Sequence, residues 1–179
     1  TKAFDVNVNG TLQVLKGALE SGADKVIFAS SAHVYGVGPR YLPTDETHPL
    51  SLDNTYTTTK ILGEQLCKLY WENDGLAYTT LRLFNAYGPG QGPGYFIPDM
   101  LAKAKPITLT GWTTTKDWVH VDDVARAFVL AMECDYVGEI NIGTGVETTL
   151  REVLEILNLP VTALIPSSEV TRMCADIGR

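Results

Sequence analysis

Lys25-Val26-Ile27-Phe28-Ala29, ending in Ser30-Ser31, decides the fold when it is set beside Ala77-Tyr78-Thr79-Thr80-Leu81-Arg82-Leu83-Phe84 and the segment between them. The first run is short, apolar and without alternation, the pattern of a strand covered on both faces in a parallel sheet. The second is rich in β-branched and aromatic residues and reads as the next strand. Between them, Thr55 to Asn73 is the longest helical candidate. Its Ile61, Leu62, Leu66, Leu69, Tyr70 and Trp71 spread around more than one face, and Asn73-Asp74-Gly75 closes it. Two strands joined by a crossover of this length can run parallel, so the fold class is α/β.

Upstream, Val8, Leu12, Val14, Leu15 and Leu19 form an imperfect helical stripe within 6–20, stopped by Ser21-Gly22. Gly36 to Asn54 contains Pro39, Pro43 and Pro49 and reads as a long surface excursion, a length that usually means function. Gly88-Pro89-Gly90-Gln91-Gly92-Pro93-Gly94 is a punctuated loop and a candidate lobe boundary. Beyond it, Trp118 to Val121 reads as a strand, Asp122 to Glu133 as a helix, Glu139 to Ile142 as a strand, and Thr149 to Leu157 as a helix capped by Thr148 or Thr149.

Composition narrows the class further. With 179 residues, 45% hydrophobic and 20% charged, Gly 16 and Pro 9, the chain is neither disordered, collagen-like nor a disulfide scaffold. A net charge of −7 has the wrong sign for nucleic acid. Cys67, Cys134 and Cys174 are odd in number and far apart, which suits reduced thiols in cytosol rather than disulfides or a thiolate zinc site. No run reaches the roughly 18 apolar residues of a membrane span and no leader pattern opens the chain, so the expected location is cytoplasmic. The chain opens on Thr1 without a Met, and its first residues read as the middle of an element. A fragment is the expectation.

Elimination leaves few chemistries. His33, His48 and His120 lack metal-ligand spacing, so no metal is expected. There is no Gly-x-Ser-x-Gly elbow, no Gly-x-x-x-x-Gly-Lys phosphate loop, and no Gly-x-Gly-x-x-Gly dinucleotide loop. What remains is Tyr56 and Lys60, four apart at the head of the long helix and hence on one face. A cation beside a phenol favours the phenolate and lets it take a proton from a substrate hydroxyl. Taken alone, this spacing is also an ordinary surface pair. Position adds weight, because Ser30-Ser31 and Asn85 fall at the carboxyl ends of the two predicted parallel strands, and Tyr56 opens the helix that joins them. Open parallel sheets bind ligands outside the carboxyl ends of their strands.

Six ordered segments then carry a resemblance. They are Asn7-Val8-Asn9-Gly10-Thr11, Phe28 to Gly36 (Phe-Ala-Ser-Ser-Ala-His-Val-Tyr-Gly), Tyr56-Thr57-Thr58-Thr59-Lys60, Leu81 to Pro89, Asp117 to Val124 and Ala175-Asp176-Ile177. The chain resembles the extended short-chain dehydrogenase/reductase superfamily, in its nucleotide-sugar epimerase and dehydratase branch of the UDP-glucose 4-epimerase type. The resemblance implies a Rossmann-like doubly wound parallel sheet, N-terminally truncated, with 1–88 and 116–144 as an incomplete dinucleotide-binding domain and 89–115 and 145–179 as a smaller substrate-binding lobe. It implies NAD as cofactor, a nucleotide sugar as substrate, and epimerisation at C4 through a transient 4-keto sugar.

By the same resemblance Ser31, Tyr56 and Lys60 are catalytic, and Asn7 and Ser30 join Tyr56 and Lys60 at the cofactor. Ser31, His33, Asn85 and Lys116 would bind substrate. Lys116 stands where the family usually has arginine, and Pro166-Ser167-Ser168-Glu169 replaces an expected Arg-x-Gly-Asp. Ala32-His33 takes the place of the Asp-Glu pair that sugar dehydratases use, which favours epimerase over dehydratase, with a dehydratase or decarboxylase of the same family as an alternative. A homodimer through the helices at 6–20 and 55–73 is also implied, with Leu62, Leu66, Leu69 and Tyr70 suited to the contact. The alternative from a different class is a non-catalytic binding or assembly fragment, given the missing glycine-rich loop. The Asp122-Asp123 pair reads as a helix cap.

Overall fold

The structure, a computed structural model, describes residues 2–103, 106–165, 167 and 171–177. In chain order they form α1 (Gly10–Ser21), β1 (Lys25–Ser31), α2 (Thr55–Asp74), β2 (Ala77–Leu83), β3 (Asn85–Tyr87), α3 (Phe96–Ala102), β4 (Ile107–Thr110), β5 (Thr115–His120), α4 (Val121–Glu133), β6 (Gly138–Ile142), β7 (Glu147–Thr149), α5 (Leu150–Ile156) and β8 (Val161–Ile165). The parallel pair expected from sequence is present: Ala29 lies opposite Leu81 and Ser31 opposite Leu83. β6 adds to the other side of β2, also parallel, giving the order β1-β2-β6. β3, β5 and β7 form a second sheet, and β4 pairs with β8 in a third.

The crossover helix α2 is set by its ends. The Asn54 side chain accepts from the Thr57 amide, and Gly75 closes the helix in the left-handed region at φ 74°, donating to the Trp71 carbonyl. One stripe of α2, Thr57, Ile61, Glu64 and Cys67, is buried. The helix lies close on β1 because residue 63 is glycine: a Cβ there would stand 2.3 Å from the ring tip of Phe28. Leu15 from α1, Cys67 from α2, and Leu76 and Tyr78 entering and on β2 share one core cluster. A separate cluster of Met100, Ile107, Leu109, Leu154 and Leu159 holds α3, β4 and α5 together away from the parallel sheet.

Several boundaries differ from the sequence reading, each for a local reason. The N-terminal helix begins earlier, with a helical turn at Lys2–Phe4 and a widened π-turn at Asp5–Asn9 before α1. β5 starts at Thr115 because its first residues pair antiparallel with β7. The cap of α4 is His120, whose Nδ1 accepts from the Asp122 amide, so Asp122 and Asp123 sit in the first turn instead of capping it. Thr149 does cap α5, in a reciprocal capping box with Glu152. The 36–54 excursion is spent on docking and does not line the candidate cleft: Glu46 Oε1 and the Thr44 carbonyl take the two Asn141 donors, and the His48 ring accepts from the Arg40 amide. Of the expected dimer residues, Leu62 and Leu69 are exposed, whereas Leu66 and Tyr70 pack against the Leu15–Cys67 cluster. Pro166, Ser168 and Glu169 lie outside the described residues.

The glycine contact gives a direct check. Gly63→Ala forces a methyl into Phe28 and lowers the unfolding free energy by about 1–3 kcal/mol, read by urea denaturation, and Phe28→Leu in the same chain recovers part of the loss.

Candidate active site

The tip of β1, the head of α2 and the start of β3 converge on one cleft of about 840 Å³. Ser30, Ser31, His33, Tyr56, Asn85 and Lys116 all line it, with Phe96 and Trp118 supplying an aromatic wall, their ring centroids 6.0 Å apart. Every residue proposed from sequence for substrate contact therefore reaches one space. Lys60 does not line the cleft. It lies beneath Tyr56, with Nζ donating to the Ala29 carbonyl at 2.9 Å and standing 5.8 Å from the centre of the Tyr56 ring.

Each side chain is held by a distinct local device. Ser31 caps the short 3₁₀ turn at Ala32–Tyr35, its Oγ accepting from the His33 amide, so the hydroxyl keeps its own proton to donate. Ser30 differs: its hydroxyl donates to Glu64 Oε1 at 2.5 Å and is already engaged in the interior. Asn7, in the π-turn, donates from Nδ2 to Thr59 Oγ1 at 3.0 Å, and Thr59 in turn donates to the Tyr56 carbonyl. This chain of bonds braces the first turn of α2 from outside the cleft. Tyr56 is 46% exposed and its ring meets His33 edge-on at 6.5 Å between centroids. Asn85 Nδ2 donates to the Asp117 carbonyl, and Lys116 Nζ to the Met173 sulfur at 3.6 Å.

Electrostatics favour neutral imidazole and restrained cations. Loss of water at the cleft wall lowers the His33 pKa, and the Lys116 charge lowers it further. Burial also lowers Lys60 and Lys116 below the usual lysine range. Among the described residues no cluster of acids, histidines and cysteines could hold a metal ion.

The model of the NAD dependent epimerase/dehydratase family matches residues 1–143. The chain belongs to this family. A provisional UDP-glucose 4-epimerase of Methanocaldococcus jannaschii is 40% identical over 162 residues, 86% of this chain and 52% of that protein. The UDP-glucose 4-epimerase of Rhizobium meliloti is 33% identical over 180 residues, 86% of this chain and 54% of its own. Among solved structures, the Thermus thermophilus UDP-glucose 4-epimerase in complex with NAD superimposes with a TM-score of 0.84 at 29% identity, covering 97% of this chain and 62% of that one. A Streptomyces venezuelae dTDP-glucose 4,6-dehydratase with NAD bound gives 0.82 at 28%, covering 96% and 57%. The chain spans about half the length of the curated relatives it matches.

Two supports of the cleft escape a sequence reading. Asp117, fully buried, accepts from the amides of Thr144, Gly145 and Ala175 and from the Thr144 hydroxyl, tying β5 to the turn after β6 and to the C-terminal strap. Glu64, also fully buried, meets Arg82 through Nε and Nη2 at 3.1 and 2.7 Å. The available signal was an acid on the apolar stripe of α2. Glu64 overcomes the burial that would lower Arg82 and holds it above its usual range. Tyr35, which Arg82 also contacts, is pushed up to about 12, chiefly by burial.

The His33 reading is testable by NMR titration of its imidazole. Its midpoint falls below 6.5 and moves upward in Lys116→Met. Because the unfolded chain binds that proton at the ordinary value of about 6.5 and the folded chain only below it, protonation of this ring favours unfolding as pH falls through 6.5.

Proposed function

We propose that this chain forms the catalytic half of a nucleotide-sugar 4-epimerase. The observation that carries the reading is one cleft shared by Ser31, Tyr56, Asn85 and Lys116, with the Lys60 ammonium under the Tyr56 ring. In this reading Tyr56 Oη takes the proton of the sugar C4 hydroxyl as that carbon is oxidised, and gives it back when the carbonyl is reduced from the other face. Lys60 holds its ammonium 5.8 Å from the centre of that ring, beside the group that handles the proton. Ser31 donates its hydroxyl proton to the same sugar oxygen, steadying it through both half-reactions.

The residues present fit the nicotinamide-ribose end of NAD. The Ala29 carbonyl takes one of the three Lys60 donors, which leaves two for a ribose diol, and Tyr56 stands alongside, whereas the Ser30 hydroxyl is committed to Glu64 and leaves only its backbone edge at the cleft. NAD held there supplies the hydride acceptor and, on the return, the hydride donor. Asn85 and Lys116 fit the substrate diphosphate, with lysine acting as a point charge rather than a bidentate fork. His33 forms the wall beside the sugar. Ala32 offers no acid to expel a hydroxyl, which supports epimerisation over the dehydration named for the Streptomyces relative.

Two wider readings belong to the proposal. Residues 1–88 and 116–144 serve the cofactor, and 89–115 with 145–179 serve the substrate; the separate core around Met100, Ile107 and Leu154 supports that division. The chain pairs with a second copy through α1 and α2, supported by exposed Val14, Leu62, Leu69 and Trp71 on those helices.

The test is NAD-dependent interconversion of UDP-glucose and UDP-galactose, and of dTDP- and GDP-hexoses, by the product of the complete reading frame. Turnover is expected, reduced about 10²- to 10⁴-fold in Tyr56→Phe. Absence of turnover with every sugar overturns the reading. Activity also falls on the alkaline side below the ordinary lysine value of about 10.4, because burial lowers Lys60 and its charge is lost earlier.

A further inference from the structure

Glu64 has no part in the chemistry just described, yet it is fully buried one turn beyond Lys60 and a single hydrogen bond from the cleft wall. Its surroundings are specific. Lys60 Nζ holds the Ala29 carbonyl at 2.9 Å, and Glu64 Oε1 takes the Ser30 hydroxyl at 2.5 Å. Two residues one turn apart on α2 thus fasten two consecutive residues of β1, immediately before Ser31. The approach is possible because Gly63 presents no side chain to Phe28. Arg82, from β2, closes on both carboxylate oxygens of Glu64 and also donates to Tyr35 Oη and the Glu46 carbonyl, each at 3.1 Å. The carboxylate is therefore anchored to a third element and cannot swing away from Ser30.

We infer that Glu64 is a positioning residue, a clasp between α2 and the tip of β1 that sets where Tyr56 stands relative to Ser31. The inference rests on the epimerase reading for its kinetic consequence, though not for its structural one. Tyr56 and Lys60 ride on α2 and Ser31 on β1, so slack between these elements moves the proton-handling groups against each other. Asn85 and Lys116 ride on β3 and β5, which pair with each other and not with β1. A loosened clasp should therefore slow the chemical step far more than it weakens substrate binding. A misplacement near 1 Å is enough to cost about 10²-fold.

Glu64→Asp keeps the charge that Arg82 requires and withdraws the carboxylate by one methylene from Ser30. In the product of the complete reading frame, kcat should fall about 10- to 100-fold while the KM for nucleotide sugar rises by no more than about threefold. Amide hydrogen exchange should rise at 29–31 and 55–62 and stay as in the parent protein at 85–87 and 115–120. A second variant separates positioning from stability. Glu64→Met with Arg82→Met replaces the ion pair by apolar chains of similar size, an exchange that often restores or raises stability. The clasp predicts that this protein, even where its melting temperature matches the parent, keeps a low kcat and the local rise in exchange.

Parent-like kcat and exchange in Glu64→Asp overturn the inference. So does a uniform rise in exchange with kcat restored in the double variant, which marks Glu64 as a support of the fold alone. If the parent protein turns over no sugar, the epimerase reading fails, and the exchange pattern by itself decides the clasp.

Discussion

Placing a carboxylate where water cannot reach it is costly unless a cation with matching geometry arrives with it. Glu64 and Arg82 meet that condition with two parallel hydrogen bonds, and the pairing constrains everything near the cleft. Arg82 stands on β2 and Glu64 on α2, so their contact fixes the helix over the sheet at one height. Ser30 and the Lys60–Ala29 bond then fix its slide along β1. A wholly apolar contact between α2 and the sheet would bury as much surface but would tolerate small shifts in register. Polar contacts with directional demands do not.

The second sheet is organised by a different device to the same end. Asp117 gathers backbone amides from the 143–145 turn and from Ala175, segments that would otherwise leave polar groups buried without partners. The neighbours of Asp117 on β5 are Lys116 and Trp118, both on the cleft wall. Gly143 is required here because a Cβ would come within 2.7 Å of Asp117 Oδ2. The two halves of the cleft are thus each pinned by one buried acid, one paired with arginine and the other with backbone N–H groups.

The strand-helix-strand unit was legible in the sequence because its signals are local: an unalternating apolar run, a capped helix and a β-branched run. The meeting of Ser31, Tyr56 and Asn85 followed from parallel topology alone, since it depends only on which ends of the strands face the crossover helix. Ser30 was harder, because two adjacent serines at a strand tip look equivalent although one hydroxyl is committed inward to Glu64. The roles of Glu64 and Asp117 depend on partners 18 to 58 residues away, a distance over which no short-range pattern extends. His120 as a cap was obscured by two aspartates with stronger capping preferences directly after it. The docking of the 36–54 excursion likewise depends on donors from Asn141, far along the chain.

Because the strands of β1-β2-β6 and those of β3-β5-β7 belong to separate sheets, the cleft walls come from both sides of a seam. Ser31 and Tyr56 line one half of that space and Asn85 and Lys116 the other, so a molecule that touched both would act as a reversible tether between them. Occupancy then couples to cohesion of the whole: resistance to heat rises with the logarithm of ligand concentration, and a ligand able to reach only one wall, binding more weakly, raises it less at the same concentration.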